Sequence, residues 1–230
     1  MIPKKIWFIW FGDNKPNYVD FAINAFREAN PDFNIELIHK TIKDIEDPSD
    51  KKYDKEIKEC IYYILNKDNP RKNILYKKSI IAYTTYSKRR FIQILANIFR
   101  LKIINTYGGI YLDCDTFPVK PFDDELLNNK NFCVHNINDP WPKDCFFLGC
   151  SPGIYKPDYK FDRVYNIEKI LPKNKWYIRR KRFYECRLKY IENLESEYYI
   201  EHFEDRTWQK RKHKDILTPL CKYDKEIYDT

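Results

Sequence analysis

Apolar and polar positions along the chain fall into blocks that switch between the periods of strand and helix. Residues 5–11, KIWFIWF, form after Lys5 an unbroken apolar and aromatic run that stops at Gly12, the pattern of a strand buried on both faces of a parallel sheet. Residues 15–30 predict a helix, with Pro16 near its first turn and Pro31 beyond its end. Residues 34–39, NIELIH, alternate and predict a second strand. Strand, helix and strand at this spacing predict a βαβ opening, whose ligands lie beyond the carboxyl ends of the strands. Further along, Ile94, Leu95, Ile98, Leu101 and Ile104 recur three and four apart, giving a helix one face to bury. Asn97 and Arg100, three apart, share another side of it. The preceding stretch 79–94 also predicts a helix, with Lys88, Arg89 and Arg90 as a solvated face.

Gly108 and Gly109 stop this helix, because glycine tolerates the left-handed backbone of a C-terminal cap. With only five glycines in the chain, an adjacent pair marks a break. Ile110, Tyr111 and Leu112 follow as a short β-prone run that delivers Asp113 and Asp115 to its end. Residues two apart on a strand point the same way, about 6.6 to 6.8 Å between Cα atoms, so both carboxylates can face one divalent ion. Oxygen donors select Mg²⁺ or Mn²⁺ over softer metals, and such ions take further ligands from substrate phosphates. Pro118 and Pro121 then turn the chain away. Strands are predicted at 131–136, 145–150 and 197–202, and helices at 158–171 and 178–194. Residues 44–75, lysine-rich around a helical core of Ile57, Ile61 and Ile64, read as a helical insertion.

Composition narrows the class. Over 230 residues, 43% hydrophobic and 17% aromatic content describe a folded globule in spite of 33% charged residues. The net charge of +8 favours anionic partners without choosing among nucleic acid, phosphorylated sugars and acidic membranes. Seven cysteines (60, 114, 133, 145, 150, 186 and 221) include no C-x-x-C pair; their odd number predicts reduced thiols and a cytoplasmic setting. The apolar run at the N-terminus is too short for a signal peptide, and no stretch approaches the ~20 apolar residues of a membrane span. Basic and aromatic residues interleave from Trp176 to Tyr184, with RRKR at 179–182. That mixture suits peripheral contact with the inner face of an anionic membrane or single-stranded nucleic acid.

Residues 96–115, ANIFRLKIINTYGGIYLDCD, resemble the A-D-x-x-R-x-x-x-L-x-x-x-G-G-x-Y-x-D-x-D signature of glycosyltransferase family 32. That family includes yeast initiation mannosyltransferases and bacterial capsular polysaccharide enzymes, and is related to the large clostridial glucosylating toxins. Asn97 stands where the family usually has Asp. The segment IPKKIWFIWFG resembles the family's I-P-K-x-I-H-x-x-W-x-G, with Trp7 in place of His, and CFFLGCSPG loosely resembles N-x-F-I-G-A-x-x-G, with Cys145 for Asn. His202 and Trp208 resemble its closing H-x-x-x-x-S-W, with Thr207 for Ser.

The resemblance implies an α/β GT-A fold: one Rossmann-like nucleotide-sugar-binding domain over 1–230, a mixed, mostly parallel sheet flanked by helices, and residues 203–230 closing over the donor. It also implies retaining, metal-dependent transfer from a nucleotide-diphosphate sugar, with UDP favoured, to a glycan or lipid-linked acceptor. Arg100, Asp113 and Asp115 are then the catalytic residues; Trp10, Asn97, Arg100, Tyr111, Asp113 and Trp208 bind donor; and Asp113, Asp115 and His202 hold Mn²⁺ or Mg²⁺. Trp10 would stack on the base, its alternative being core filling. The loop HNINDPWPKD offers His135, Asp139, Trp141 and Asp144 to an acceptor, or is plain surface. The cluster Arg206, Lys210, Arg211 and Lys212 would neutralise the diphosphate.

Two other classes share local features. IYLDCDT fits the D-x-D-x-T motif of haloacid-dehalogenase-type phosphatases, with Asp113 as nucleophile and Asp115 as acid, but no later acidic G-D-x-x-x-D-like pair follows. The positive charge alone also fits a basic nucleic-acid-binding module.

Overall fold

The computed structural model describes residues 1–46, 51–65, 85–129, 131–135, 147–153, 169–172, 177–179 and 199–202. Strand β1 (Lys5–Phe11) leads through helix α1 (Tyr18–Ala29) to β2 (Asn34–Lys40), paired in parallel from Lys5 opposite Asn34 to Phe11 opposite Lys40. Short α2 (Ile42–Glu46) and α3 (Asp54–Leu65) follow, then α4 (Thr85–Tyr107), a single helix that runs through two stretches read separately from sequence. Next come β3 (Gly109–Leu112), β4 (Thr116–Pro118), α5 (Asp124–Leu127), β5 (Asn131–His135), β6 (Phe147–Cys150), β7 (Lys169–Pro172), β8 (Tyr177–Arg179) and β9 (Ile200–His202).

Six of these strands form a sheet in the order β2-β1-β3-β6-β5-β7. The β1–β2, β1–β3 and β5–β7 pairs are parallel and the two pairs made by β6 antiparallel, giving the mixed, mostly parallel α/β sheet expected from the sequence. A smaller sheet, β4-β9-β8, stands beside it.

The unbroken apolar run of β1 has its explanation in two cores. Ile6 and Phe8 face a cluster with Val19, Ile23 and Phe26 of α1, while Trp7 and Ile9 face one with Leu95, Phe99 and Ile103 of α4. A strand buried on both faces leaves no alternation to read. Helix α1 starts three residues later than expected, after Pro16 and Asn17. It ends at buried Asn30, whose side-chain amide donates to Phe26 O (3.2 Å) and whose Oδ1 accepts from Phe122 N (2.8 Å).

The glycine pair does two jobs. Gly108 (φ +68°) caps α4, its N–H donating to Ile104 O at 2.8 Å. Gly109 (φ +104°) lets β3 lie against β1, because a Cβ there would sit 2.6 Å from the Lys5 carbonyl oxygen.

Two expectations are corrected. Residues 169–171 and 178–179, read as parts of helices, are strands: β7 pairs in parallel with β5, and β8 with β9. Each satisfies the open edge of a neighbour from a distant part of the chain, a demand that overrides local periodicity. The rest of those two helices lies outside the described residues, as do 203–230. Among the described residues, no helix is long and apolar enough to cross a membrane.

Candidate active site

The carboxyl ends of β1 and β3, the turn after β3 and the end of β9 bring together the side chains singled out from sequence. Trp10 is the last but one residue of β1, packs partly against the α1-side core, and donates its indole N–H to Asn14 O at 3.1 Å. The loop after it is held from the β2 side. Gly12 N donates to Lys40 O (2.9 Å), His39 Nε2 meets Gly12 O (3.1 Å), and Ile42 N donates to Asp13 Oδ1 (2.9 Å). A buried ion pair between Lys40 and Asp54 fixes α3 to the same end of β2.

Asp113 follows β3. Its Oδ1 accepts the Tyr111 hydroxyl at 2.7 Å and lies 3.5 Å from Nη1 of Arg100, whose guanidinium sits 5.5 Å from the Tyr111 ring centroid. Tyr111 and Asp113 are two apart on one strand face, while Arg100 reaches in from α4, itself buried. The turn closes on the Asp113 carbonyl, which accepts Thr116 N (3.2 Å) and Thr116 Oγ1 (2.7 Å). Between the two aspartates, Cys114 points the other way into the core, its Sγ 3.4 Å from Ile9 O. Asp115 then meets β9: Thr116 pairs with His202, and His202 Nε2 lies 3.3 Å from Asp115 Oδ1.

One ligand atom from each of Asp113, Asp115 and His202 falls within 4.8 Å of the others. Burial pushes the Asp113 carboxyl above its ordinary range; Arg100 opposes the shift, Asp115 adds to it, and His202 and the Tyr111 hydrogen bond oppose it. A recess that resists its own second negative charge favours a cation. The Tyr111 hydroxyl is pushed well up by burial and by Asp113 beside it, so it keeps its proton for that carboxylate.

These residues fit a divalent ion of the hard to borderline kind. Two carboxylates and an imidazole are its ordinary donors. The 3.3 Å between Asp115 Oδ1 and His202 Nε2 is close to neighbouring corners of an octahedron with bonds of about 2.1 Å, which lie about 3.0 Å apart.

Asn97 lies on α4 one turn before Arg100 and is half-buried. Trp208 falls outside the described residues, as do Cys145, Asp139, Trp141 and Asp144. Tyr111 sits beneath the recess, with its hydroxyl on Asp113. The alternation of β3 carried that signal, since residues 111 and 113 share a face. Cys114 escaped sequence reasoning because its partner, a backbone carbonyl 105 residues away, leaves no trace in a local pattern.

Among solved structures, the chain is similar to the PaToxG glycosyltransferase, with 17% identity over 66% of this chain and 56% of that one (TM-score 0.38). It is also similar to the catalytic domain of alpha-toxin from Clostridium novyi, with 17% identity over 51% of this chain and 36% of that one (TM-score 0.29). The galactosyltransferase LgtC, in complex with donor and acceptor sugar analogues, shares 11% identity over 88% of this chain and 87% of that one (TM-score 0.43). The chain thus spans little more than half of the PaToxG chain and about a third of the alpha-toxin domain. No curated protein matches it. The family described as glycosyltransferase sugar-binding region containing DXD motif matches residues 16–133, a span that takes in α1, Arg100, Tyr111 and both aspartates. With over half of its length matched, and with Asp113-Cys114-Asp115 at the sheet edge where such a motif would meet a donor, the chain belongs to that family.

Proposed function

We propose that this chain transfers a sugar from a nucleotide-diphosphate sugar, a UDP-sugar in the first instance, to a glycan or lipid-linked acceptor, with retention of configuration and a requirement for Mn²⁺ or Mg²⁺. The observation that carries this reading is the convergence of Asp113, Asp115 and His202 within 4.8 Å, at the sheet edge where β1 delivers Trp10.

Each residue has a role that follows from its surroundings. The indole N–H of Trp10 is committed to Asn14 O, so the ring offers a base its face. Asp115 and His202 are the direct ligands of the ion, and Asp113 presents its second oxygen to the ion or to a ribose hydroxyl. An imidazole among the donors favours Mn²⁺ over Mg²⁺. Bound there, the ion would offset negative charge on the departing nucleotide diphosphate and orient it.

Arg100, held by Asp113 and the Tyr111 ring, is a fixed cation for donor hydroxyls or phosphate oxygens. Asn97, a neutral amide that donates and accepts, holds another donor hydroxyl, and its lack of charge sets a donor preference different from that of an Asp. Retention with attack from the leaving group's own side requires no dedicated base, and none is assigned. Residues 203–230, with Trp208, close over the donor, and 44–75 form an insertion on a single domain.

Thermal melting against UDP- and GDP-sugars, with Mn²⁺, with Mg²⁺ and with EDTA, tests the reading. A ligand at a hundred times its Kd adds about 2.7 kcal/mol of stability. A UDP-sugar should stabilise the protein with Mn²⁺ and not with EDTA. Indifference to every nucleotide under both metals would remove the proposal.

A further inference from the structure

We propose that Cys114 is a positioning residue whose thiol, donating to the Ile9 carbonyl, ties the carboxylate turn to the strand that carries Trp10 and so sets the spacing between the metal-binding and base-binding parts of the site. The inference rests on the donor-binding reading above.

The turn closes on itself through Thr116 and the Asp113 carbonyl, and further anchors act on the aspartates themselves. Asp113 is held through Tyr111 and Arg100, and Asp115 through the pairing of Thr116 with His202. Those anchors belong to β3, α4 and β9. The parallel pairing of β1 with β3 covers Ile6 opposite Ile110 and Trp7 opposite Tyr111. Beyond that pair the ladder ends, with Ile9 and Trp10 following on one chain segment and Asp113 to Asp115 on the other. The contact from Cys114 Sγ to Ile9 O, at 3.4 Å, links the two segments beyond the end of the ladder.

The cysteine is well placed to do so. It is 7% exposed and packs in the α1-side core, the same cluster against which Trp10 rests. Ile9 precedes Trp10 directly, so a shift of the turn away from Ile9 changes the distance from the carboxylates to the indole. A diphosphate bridging base and metal has a fixed span, and about 1 Å of misplacement is costly in a site of this kind.

The test compares Cys114→Ala, which removes the donor, with Cys114→Ser, which keeps an O–H at the same place. Mn²⁺ affinity is read by electron paramagnetic resonance of the free ion, with and without UDP, and melting is followed in EDTA. A thiol is a weak donor, so its hydrogen bond lies at the low end of the ordinary net range, about two- to threefold in an equilibrium constant. The alanine variant should lose that factor, most clearly in the tightening of Mn²⁺ binding that UDP brings, and the serine variant should recover most of it. If the alanine variant does not fold, Cys114→Val, which fills the volume without a donor, takes its place with the same expectation. A role in packing alone would lower the melting temperature in EDTA and leave Mn²⁺ affinity and its response to UDP at parental values, which overturns the inference while the reading of the site stands. A parent protein that binds neither Mn²⁺ nor UDP overturns both.

Discussion

The carboxylates at 113 and 115 differ in their partners, and so in what their loss should do. Asp115 meets His202 across the recess, and its charge adds to the burial that pushes Asp113 upward. Asp115→Asn keeps the shape and removes one negative charge. In EDTA the variant should melt no lower than the parent, because less like charge is confined in the recess. With Mn²⁺ the parent should gain stability and the variant should not, and sugar transfer should fall by roughly 10² to 10³. Tyr111→Phe is milder. It deletes the hydroxyl on Asp113 Oδ1 and leaves the ring under Arg100, so Mn²⁺ affinity should fall by about tenfold, the value of a hydrogen bond to a charged group. Titration calorimetry with Mn²⁺ alone reads both effects without the sugar. At this scale the sequence disclosed residue types and their alternation: the two aspartates, Arg100 one helix face away, and Tyr111 in step with Asp113. It did not disclose that Tyr111 serves Asp113, or that Cys114 reaches Ile9, because hydrogen-bond direction is decided by what tertiary packing places opposite.

Elements were legible where local pattern and final environment agree. The strand read at 5–11 is β1 residue for residue, and the glycine stop at 108 and 109 is where α4 gives way to β3. Strands β7 and β8, of four and three residues, are shorter than any period can mark, and they exist because β5 and β9 need partners. Two glycines test how tightly these elements are set. At Gly149 an added Cβ would lie 2.4 Å from the Phe132 ring, a side chain that can be shortened. At Gly109 it would meet the Lys5 carbonyl at 2.6 Å, a backbone atom that cannot. Gly149→Ala should cost about 1–3 kcal/mol, the usual penalty of overpacking, and Phe132→Leu in the same chain should recover part of it in a double-mutant cycle. Gly109→Ala should cost more, since its positive φ is strained as well, and no side-chain change nearby should rescue it. Urea unfolding of the four variants decides both points.

The site as a whole belongs to neither sheet alone. Trp10, Tyr111 and Asp113 come from the six-stranded sheet or its edge, and His202 comes from β9 of the smaller one, joined to the first through the turn at 113–116 and the pairing of β4 with β9. A ligand that binds Asp113, Asp115 and His202 together therefore spends part of its binding free energy holding the two sheets in register. The linkage is reciprocal: whatever loosens β9 must weaken the ion, and the ion must suppress opening of β9. Hydrogen exchange measures this directly, because amide protection reports local opening. With Mn²⁺ and UDP, amides at 199–202 should exchange more slowly than in EDTA, by an amount comparable to that at 109–116. In Asp115→Asn the protection at 199–202 should disappear, while any protection that UDP confers on residues 5–14 through Trp10 should persist in reduced form. Protection confined to 5–14 and 109–116 in the parent would mean that the ion ignores His202, and the three-residue site would shrink to a pair of carboxylates.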